Sequence, residues 1–226
     1  MNTRTTNTNK PTAKVMIVDD HPAVREALAI RIGSEIDLDV CGEADDLEEA
    51  LQIAASTQPD VAILDISLKT GSGIDLIKRL RAHDDKIRMI VWSMYSEELF
   101  AERALRAGAM GYLTKEKGTG QIIEAIREVL AGNVYLSEAL TKKLLKRTVG
   151  QPLKDSGRGD IDALSDRELD VFRLIGQGLK TQEIALQLHL SVNTVETYRD
   201  RIRAKLNLSD GLELTRCAMQ WFLESA

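Results

Sequence analysis

Cysteine is nearly missing from this chain, with two in 226 residues, Cys41 and Cys217. They fall in segments that read as separate domains, so no disulfide framework is expected and a reducing cytoplasm is the expected setting. Proline is scarce at four, and aromatic residues make up 4%. No apolar run approaches the roughly 20 residues that span a bilayer. The opening MNTRTTNTNK lacks a hydrophobic segment, so no cleavable secretory signal is expected and 1–13 reads as a disordered tail. An excess of positive charge is absent too. The net charge is −5, so any nucleic-acid function has to come from a local patch. What is present, 43% hydrophobic and 29% charged residues, excludes collagen-like and wholly disordered classes.

From Lys14 onward, short apolar runs alternate with amphipathic stretches. Strands are expected at KVMIV (14–18), LDVCGEA (38–44), VAILD (61–65), IRMIVWS (87–93) and MGYL (110–113). Helices are expected over 23–33, 46–57, 73–82, 97–107 and 119–131. Five strands separated by helices call for a doubly wound α/β domain with a five-stranded parallel sheet, which binds its ligands at the carboxyl ends of the strands. After Gly132 the pattern changes. Residues 135–149 read as an amphipathic helix with Leu136, Leu140, Leu144 and Leu145 on one stripe. GQPLKDSGRGD (150–160) reads as a flexible linker. Four helices and no strand follow, over 165–178, 180–187, 192–206 and 210–224. The expected division is therefore a tail (1–13), an α/β domain (14–133), a helix with linker (134–160) and a small all-α domain (161–226).

Acidic residues stand at the strand ends where such a sheet binds ligands. Asp19 and Asp20 follow the first strand and Asp65 ends the third, positions that are adjacent at the switch point. Three converging carboxylates repel one another unless a cation neutralises them. Oxygen-only ligands suit Mg²⁺, which keeps waters and leaves room for a phosphoryl oxygen. Ser93 ends the fourth strand and Lys115 follows the fifth, supplying the donors that a phosphoryl group on a carboxylate needs. Taken singly, each Asp is equally a helix cap or loop residue. Matching chemistry at successive strand ends favours a site.

In the C-terminal part, Leu169, Phe172, Leu174, Ile175, Ile184, Leu188, Val195, Ile202 and Leu206 suit short helices packed on one another. Gly176 and Gly178 end the first and Ser191 caps the third. The short LHLS connection fits a helix-turn-helix unit, whose second helix enters the DNA major groove. That helix carries Asn193, Thr194, Glu196, Thr197, Arg199, Asp200, Arg203 and Lys205. Charge argues the other way: 161–226 holds 8 basic and 10 acidic residues, although 196–206 holds 4 basic and 2 acidic. Such a patch binds weakly and with strong salt dependence, so useful affinity needs two paired copies. A solvated helix face, or a surface for a partner protein, is the competing reading. Phe172 and Trp221 read as core. His83 and His189 have no metal-ligand spacing with a cysteine, and His21 reads as a loop histidine beside the acidic pair.

The first 130 or so residues resemble a receiver domain of the two-component response regulators. LSDREL (164–169), G-x-K-T-x-E-I-A (178–185) and S-V-N-T-V-E-T-Y-R (191–199) resemble the LuxR-type helix-turn-helix. Together they resemble the NarL/FixJ class of response regulator over nearly the whole chain. The resemblance implies phosphorylation of Asp65 by a sensor histidine kinase, and Mg²⁺ held by Asp19, Asp20, Asp65 and the carbonyl of Ser67. It also implies a switch hydroxyl at Ser93, a phosphate-pairing Lys115, and a switch aromatic at Tyr112 that turns inward on activation. Glu168 becomes a structural anchor, with DNA contacts from Lys180, Thr181, Ser191, Asn193, Thr194, Glu196, Thr197, Arg199, Arg203 and Lys205, and a homodimer paired through the last helix. Lys69 stands where many members have Pro, Glu196 where many have Lys, and Tyr198 where many have His. The expected function is a phosphorylation-dependent, DNA-binding transcriptional regulator, the alternative being a regulator whose C-terminal helices bind a protein. A haloacid-dehalogenase-like phosphatase is disfavoured, because Asp19–Asp20–His21–Pro22 lacks its D-x-D pattern.

Overall fold

The computed structural model describes residues 12–69, 71–148 and 161–225. Most of the expected tail and the whole expected linker (150–160) lie outside the described residues. Strands β1 (Ala13–Val18), β2 (Leu38–Ala44), β3 (Val61–Leu64), β4 (Arg88–Ser93) and β5 (Gly111–Thr114) form one parallel sheet in the order β2-β1-β3-β4-β5. Between and after them run α1 (Pro22–Gly33), α2 (Leu47–Thr57), α3 (Gly73–His83), α4 (Glu97–Ala107) and α5 (Ile122–Leu130). The order reverses at β1, with β2 on one side and β3 on the other, which opens a crevice above their carboxyl ends.

Both faces of the sheet are buried, and the period of two shows which side chain serves which face. Val15, Ile17, Ile63, Ile90, Trp92 and Leu113 pack with Leu28 and Ile32 of α1 and with α5. Their neighbours Met16, Val18, Leu64, Met89, Val91 and Tyr112 pack with α2, α3 and α4.

The remaining helices are α6 (Glu138–Thr148), α7 (Asp166–Gly176), α8 (Thr181–Gln187), α9 (Val192–Lys205) and α10 (Gly211–Ser225). Helix α6 starts later than its leucine spacing suggested, because the chain before it extends the sheet edge. Tyr135 N donates to Met110 O at 2.9 Å, and Tyr135 O accepts from Tyr112 N at 3.0 Å. Leu136 therefore precedes the helix. Leu140 is buried and Leu145 is 59% exposed, so the expected stripe is split. In the C-terminal bundle, α7 packs on α9 and α10. Gly176 serves close approach: a Cβ there would lie 2.6 Å from the Ala218 carbonyl oxygen. Gly178, at φ +85°, supplies the left-handed turn out of the helix. Ser191 caps α9 as expected, accepting from Thr194 N at 3.0 Å. Phe172 and Trp221 meet at 5.3 Å between ring centroids inside this core.

Candidate functional site

The sheet register carries the acidic residues into one pocket. Asp19 N donates to Ala44 O at 3.1 Å and Asp65 N to Val18 O at 2.8 Å, so each strand end is pinned to its neighbour. Gly73 lets α3 begin directly behind Asp65, since a Cβ at that position would lie 2.0 Å from the Asp65 carbonyl oxygen. Asp65 is buried, and its Oδ1 accepts from Ile66 N at 2.6 Å and from Ser93 Oγ at 2.5 Å. Its Oδ2 accepts from Lys115 Nζ at 2.6 Å. The same ammonium reaches Asp19 Oδ2 at 2.5 Å and bridges the two carboxylates.

The charges are mutually adjusted. Burial, followed by repulsion from Asp65, holds the Asp19 carboxyl above its usual range. Burial alone would lower Lys115, but Asp65 and Asp19 outweigh it and the ammonium is held above its ordinary value. Asp20 Oδ1 is buried without a hydrogen-bond partner. His21 Nδ1 lies 2.6 Å from it, an ion-pair distance without hydrogen-bond geometry, and the ring is 67% exposed. Ligand atoms of Asp19, Asp20, His21 and Asp65 all lie within 4.8 Å of one another. Ser67 N approaches Asp65 Oδ1 at 3.4 Å, so the loop carrying the Ser67 carbonyl lies against Asp65.

Tyr112 lies inward in this structure. The ring is already buried, and its hydroxyl donates to Tyr95 O at 3.0 Å. The ring packs in the same core as Phe100, with its hydroxyl satisfied. His21, read as a loop histidine, leans on the acidic pair, its N donating to Asp19 Oδ1 at 3.0 Å. Lys69, in the place of the proline many relatives carry, ties its loop to Asp45 by an ion pair of 2.7 Å.

Helix α9 presents one solvent stripe made of Asn193, Glu196, Thr197, Asp200, Arg201 and Ala204, at helical spacing. Arg201 belongs to it although the sequence reading passed it over. Thr194, Arg199 and Arg203 are half-buried, and Arg203 pairs with Asp200 at 2.5 Å. Lys205 is partly exposed but its ammonium is engaged within the protein: Nζ donates to Glu168 Oε2 at 2.6 Å and Ala163 O at 3.2 Å. Glu168 is buried, and its side chain returns to Ser165 N at 2.7 Å in a capping box. Burial opposes its charge, yet the bonds from Lys205 and Ser165 hold its carboxyl below the usual value. Lys180, Thr181 and Arg199 line one cleft with Leu179, Thr215 and Met219.

Residues 15–127 match the response regulator receiver domain, and 162–218 match the bacterial regulatory proteins of the luxR family. A putative transcriptional regulator of Pseudomonas aeruginosa is 39% identical over 196 residues, which is 86% of this chain and 91% of that protein. The chain belongs to the LuxR-type response regulators. Response regulator GacA of the same organism is 34% identical, the alignment covering 92% of this regulator and 95% of GacA. Among solved structures, RcsB of Salmonella enterica serovar Typhimurium, bound to promoter P1flhDC in the presence of the phosphomimetic BeF3−, is 25% identical. It aligns with a TM-score of 0.62 over 92% of this chain and 99% of its own.

This response regulator is therefore a two-component, DNA-binding transcriptional regulator, which accepts a phosphoryl group rather than turning over a substrate. A histidine kinase and DNA are its partners, and the reading in which the last helices serve only a partner protein falls away. No helix among the described residues is long and apolar enough to cross a membrane.

Proposed function

We propose that Asp65 is the phosphoryl acceptor and that the pocket around it reports its modification. The observation that carries this is the convergence on one buried carboxylate of Ser93 Oγ at 2.5 Å and Lys115 Nζ at 2.6 Å, with Asp19 bridged to the same ammonium. An Asp65 oxygen forms the new P–O bond as the P–N bond of a kinase phosphohistidine breaks, and the departing imidazole takes up a proton. Ser93 and Lys115 then donate to phosphoryl oxygens.

The residues fit Mg²⁺. Asp20 Oδ1 is a buried oxygen without a hydrogen-bond partner, and the donor set is rich in carboxylate oxygen. Asp19, Asp20, Asp65 and the Ser67 carbonyl would hold the ion. When bound, it supplies positive charge that offsets the clustered carboxylates and the incoming phosphoryl oxygens. A kinase and DNA as partners support a cytoplasmic setting.

In the C-terminal domain (161–226), α9 enters the major groove, with Asn193, Glu196 and Thr197 on the stripe that meets base edges. Ser191 and Thr194 sit at the N-terminal end of that helix, where backbone N–H groups favour a phosphate. Lys180, Thr181 and Arg199 share a cleft suited to another phosphate. Arg203 and Lys205 are committed to Asp200 and Glu168, which supports giving them a smaller share in binding. Few free cations per copy call for two copies. Leu212, Met219 and Leu223 form an exposed apolar stripe on α10, 75%, 41% and 77% exposed, that suits pairing in a phosphorylated homodimer.

The test is intact-protein mass after incubation with Mg²⁺ and acetyl phosphate. One phosphoryl adduct is expected on wild type and none on Asp65→Asn or after Mg²⁺ is chelated. An adduct that persists in Asp65→Asn would assign the chemistry elsewhere.

A further inference from the structure

Positive charge is unevenly spread along this chain. The DNA-binding domain (161–226) holds 8 basic and 10 acidic residues. Five of its cations are engaged within the protein. Arg167 lies 3.5 Å from Asp170, and Arg173 donates to the Tyr95 hydroxyl at 3.0 Å. Arg199, Arg203 and Lys205 pair with Glu196, Asp200 and Glu168. Counterion release from DNA scales with the cations that meet phosphate, so this domain alone is a poor source of affinity. By contrast, 139–154 holds five basic residues and no acidic one. Four of the five, Lys142, Lys143, Lys146 and Arg147, belong to α6.

Helix α6 is anchored so that charge faces outward. Leu140 is buried in the core that contains Tyr112, and Leu144 packs against it. Ser137, just before the helix, donates its N to Glu97 Oε1 of α4 at 2.9 Å and caps the first turn by accepting from Leu140 N at 3.1 Å. With that stripe fixed on the receiver, the helical period turns Lys142 and Lys146 to solvent and leaves Lys143 half-buried on the flank. Lys142 pairs with Glu138 at 2.5 Å, but the two side chains are 68% and 81% exposed, so exchanging that pair for a phosphate costs little. Lys143 and Lys146 enter no ion pair among the described residues. One cation near the last carbonyls already complements the helix dipole, so a run of four exceeds what helix stability asks.

Duplex DNA, which this regulator binds, is the polyanion that such a face fits. Helix α4 holds α6 through Glu97, and it meets the DNA-binding domain through Arg103, which pairs with Asp166 at 3.3 Å. These two attachment points are six residues apart, about 9 Å along the helix. Even with the halves parted, residues 149–160 span at most about 45 Å, little more than one turn of duplex. A bound α9 therefore holds α6 at high effective concentration near the flanking phosphates.

We propose that Lys142, Lys143 and Lys146 of α6 form a second DNA contact, which grips the phosphate backbone beside the α9 site and reads no sequence itself. Its placement rests on α9 being the reading helix. α9 selects the site, and α6 supplies charge that the DNA-binding domain lacks.

The test is fluorescence anisotropy of the full chain on a labelled random-sequence duplex of about 40 base pairs, between about 50 and 200 mM salt. The triple variant Lys142→Gln, Lys143→Gln, Lys146→Gln should flatten the salt slope by about 2–3 and bind at least about ten-fold more weakly near 100 mM. Replacing the same three lysines by Arg should keep the wild-type slope. Arg201→Ala on α9 is the reference, with a slope flatter by about 1. A Gln variant with the wild-type slope, beside a flatter Arg201→Ala, overturns the α6 contact and leaves α9 as the reader. The reverse pair of results keeps the α6 contact and withdraws its placement beside α9. Equal flattening in the Arg variant would show loss of structure rather than of charge, and overturns the proposal. So does unchanged DNA binding with lost binding to phosphatidylglycerol vesicles, which would assign the face to a lipid surface.

Discussion

The pocket around Asp65 and the outer face of α9 are both charged surfaces, but they are built in opposite ways. In the pocket Asp19, Asp65 and Lys115 are buried and bound to one another, because the ends of β1, β3 and β5 deliver them there. On α9 the groups that face outward are mostly exposed, and three of the cations, Arg199, Arg203 and Lys205, are paired within the protein. Buried groups at strand ends are placed by the sheet, so a single loss removes a function. Exposed groups on a helix act additively, through screened interactions, so single losses are small.

The comparison breaks most sharply at the pocket. Asp65→Asn should abolish the phosphoryl adduct with little effect on folding. Gly73→Ala should follow, because a Cβ 2.0 Å from the Asp65 carbonyl forces the start of α3 away from the acceptor. A loss of about 2 kcal/mol in unfolding free energy and much slower adduct formation are expected, read by denaturant titration and by mass. A Gly73→Ala chain that phosphorylates at the wild-type rate would show that the acceptor does not depend on this close approach.

Two neighbours in α7 sharpen it, since burial raises both carboxyls and only at Glu168 do bonded partners overcome it. Glu168 is held below its ordinary 4.5 by Lys205 and the cap despite burial, so its stabilisation is present above that value and fades as pH falls through its lowered pKa. Glu168→Ala should cost about 2 kcal/mol at neutral pH, a figure reduced because Lys205 is partly exposed. Burial pushes Asp170 from 3.8 to about 6, and Arg167 and Arg173 offset only part of this. Its contribution is favourable below 3.8 and is lost as pH rises through about 6. Asp170→Asn should therefore gain on wild type by roughly 2–3 kcal/mol between about pH 4 and about pH 7, seen as a flatter pH profile of the denaturation midpoint.

The smallest effects belong to α9. Arg201→Ala should weaken binding to random duplex DNA and lower the salt slope by about 1, as expected for one lost phosphate contact. Lys205→Ala should lower stability and leave that slope unchanged, because its ammonium is held by Glu168. Equal slopes for the two variants would erase the distinction between exposed and committed cations.

The strand ends were legible in the sequence for a physical reason. Apolar runs of four to seven residues locate the strands, and parallel connection through helices forces their carboxyl ends to one side. Asp19, Asp20, Asp65, Ser93 and Lys115 then share a rim whatever their loops do. Helix existence was equally readable, and so was the Ser191 cap, because caps and periodicity are local. Illegible were Tyr95, Arg103, Asp166 and Arg173. Each reads as an ordinary surface residue in its own segment, and each gains its partner across dozens of positions of chain.

Local pattern was therefore enough for the α/β and all-α halves, their order, and the acidic, hydroxyl and ammonium groups of the pocket. The outward phase of α9 was partly readable, but not which of its cations are free. Tertiary packing decided the rest: that Tyr112 lies inward, that Lys205 serves Glu168, and that α7 is buried from Glu168 to Gly176 except at Arg173. Those outcomes depend on what lies across a contact, and a contact between distant segments exists only once the helices have packed.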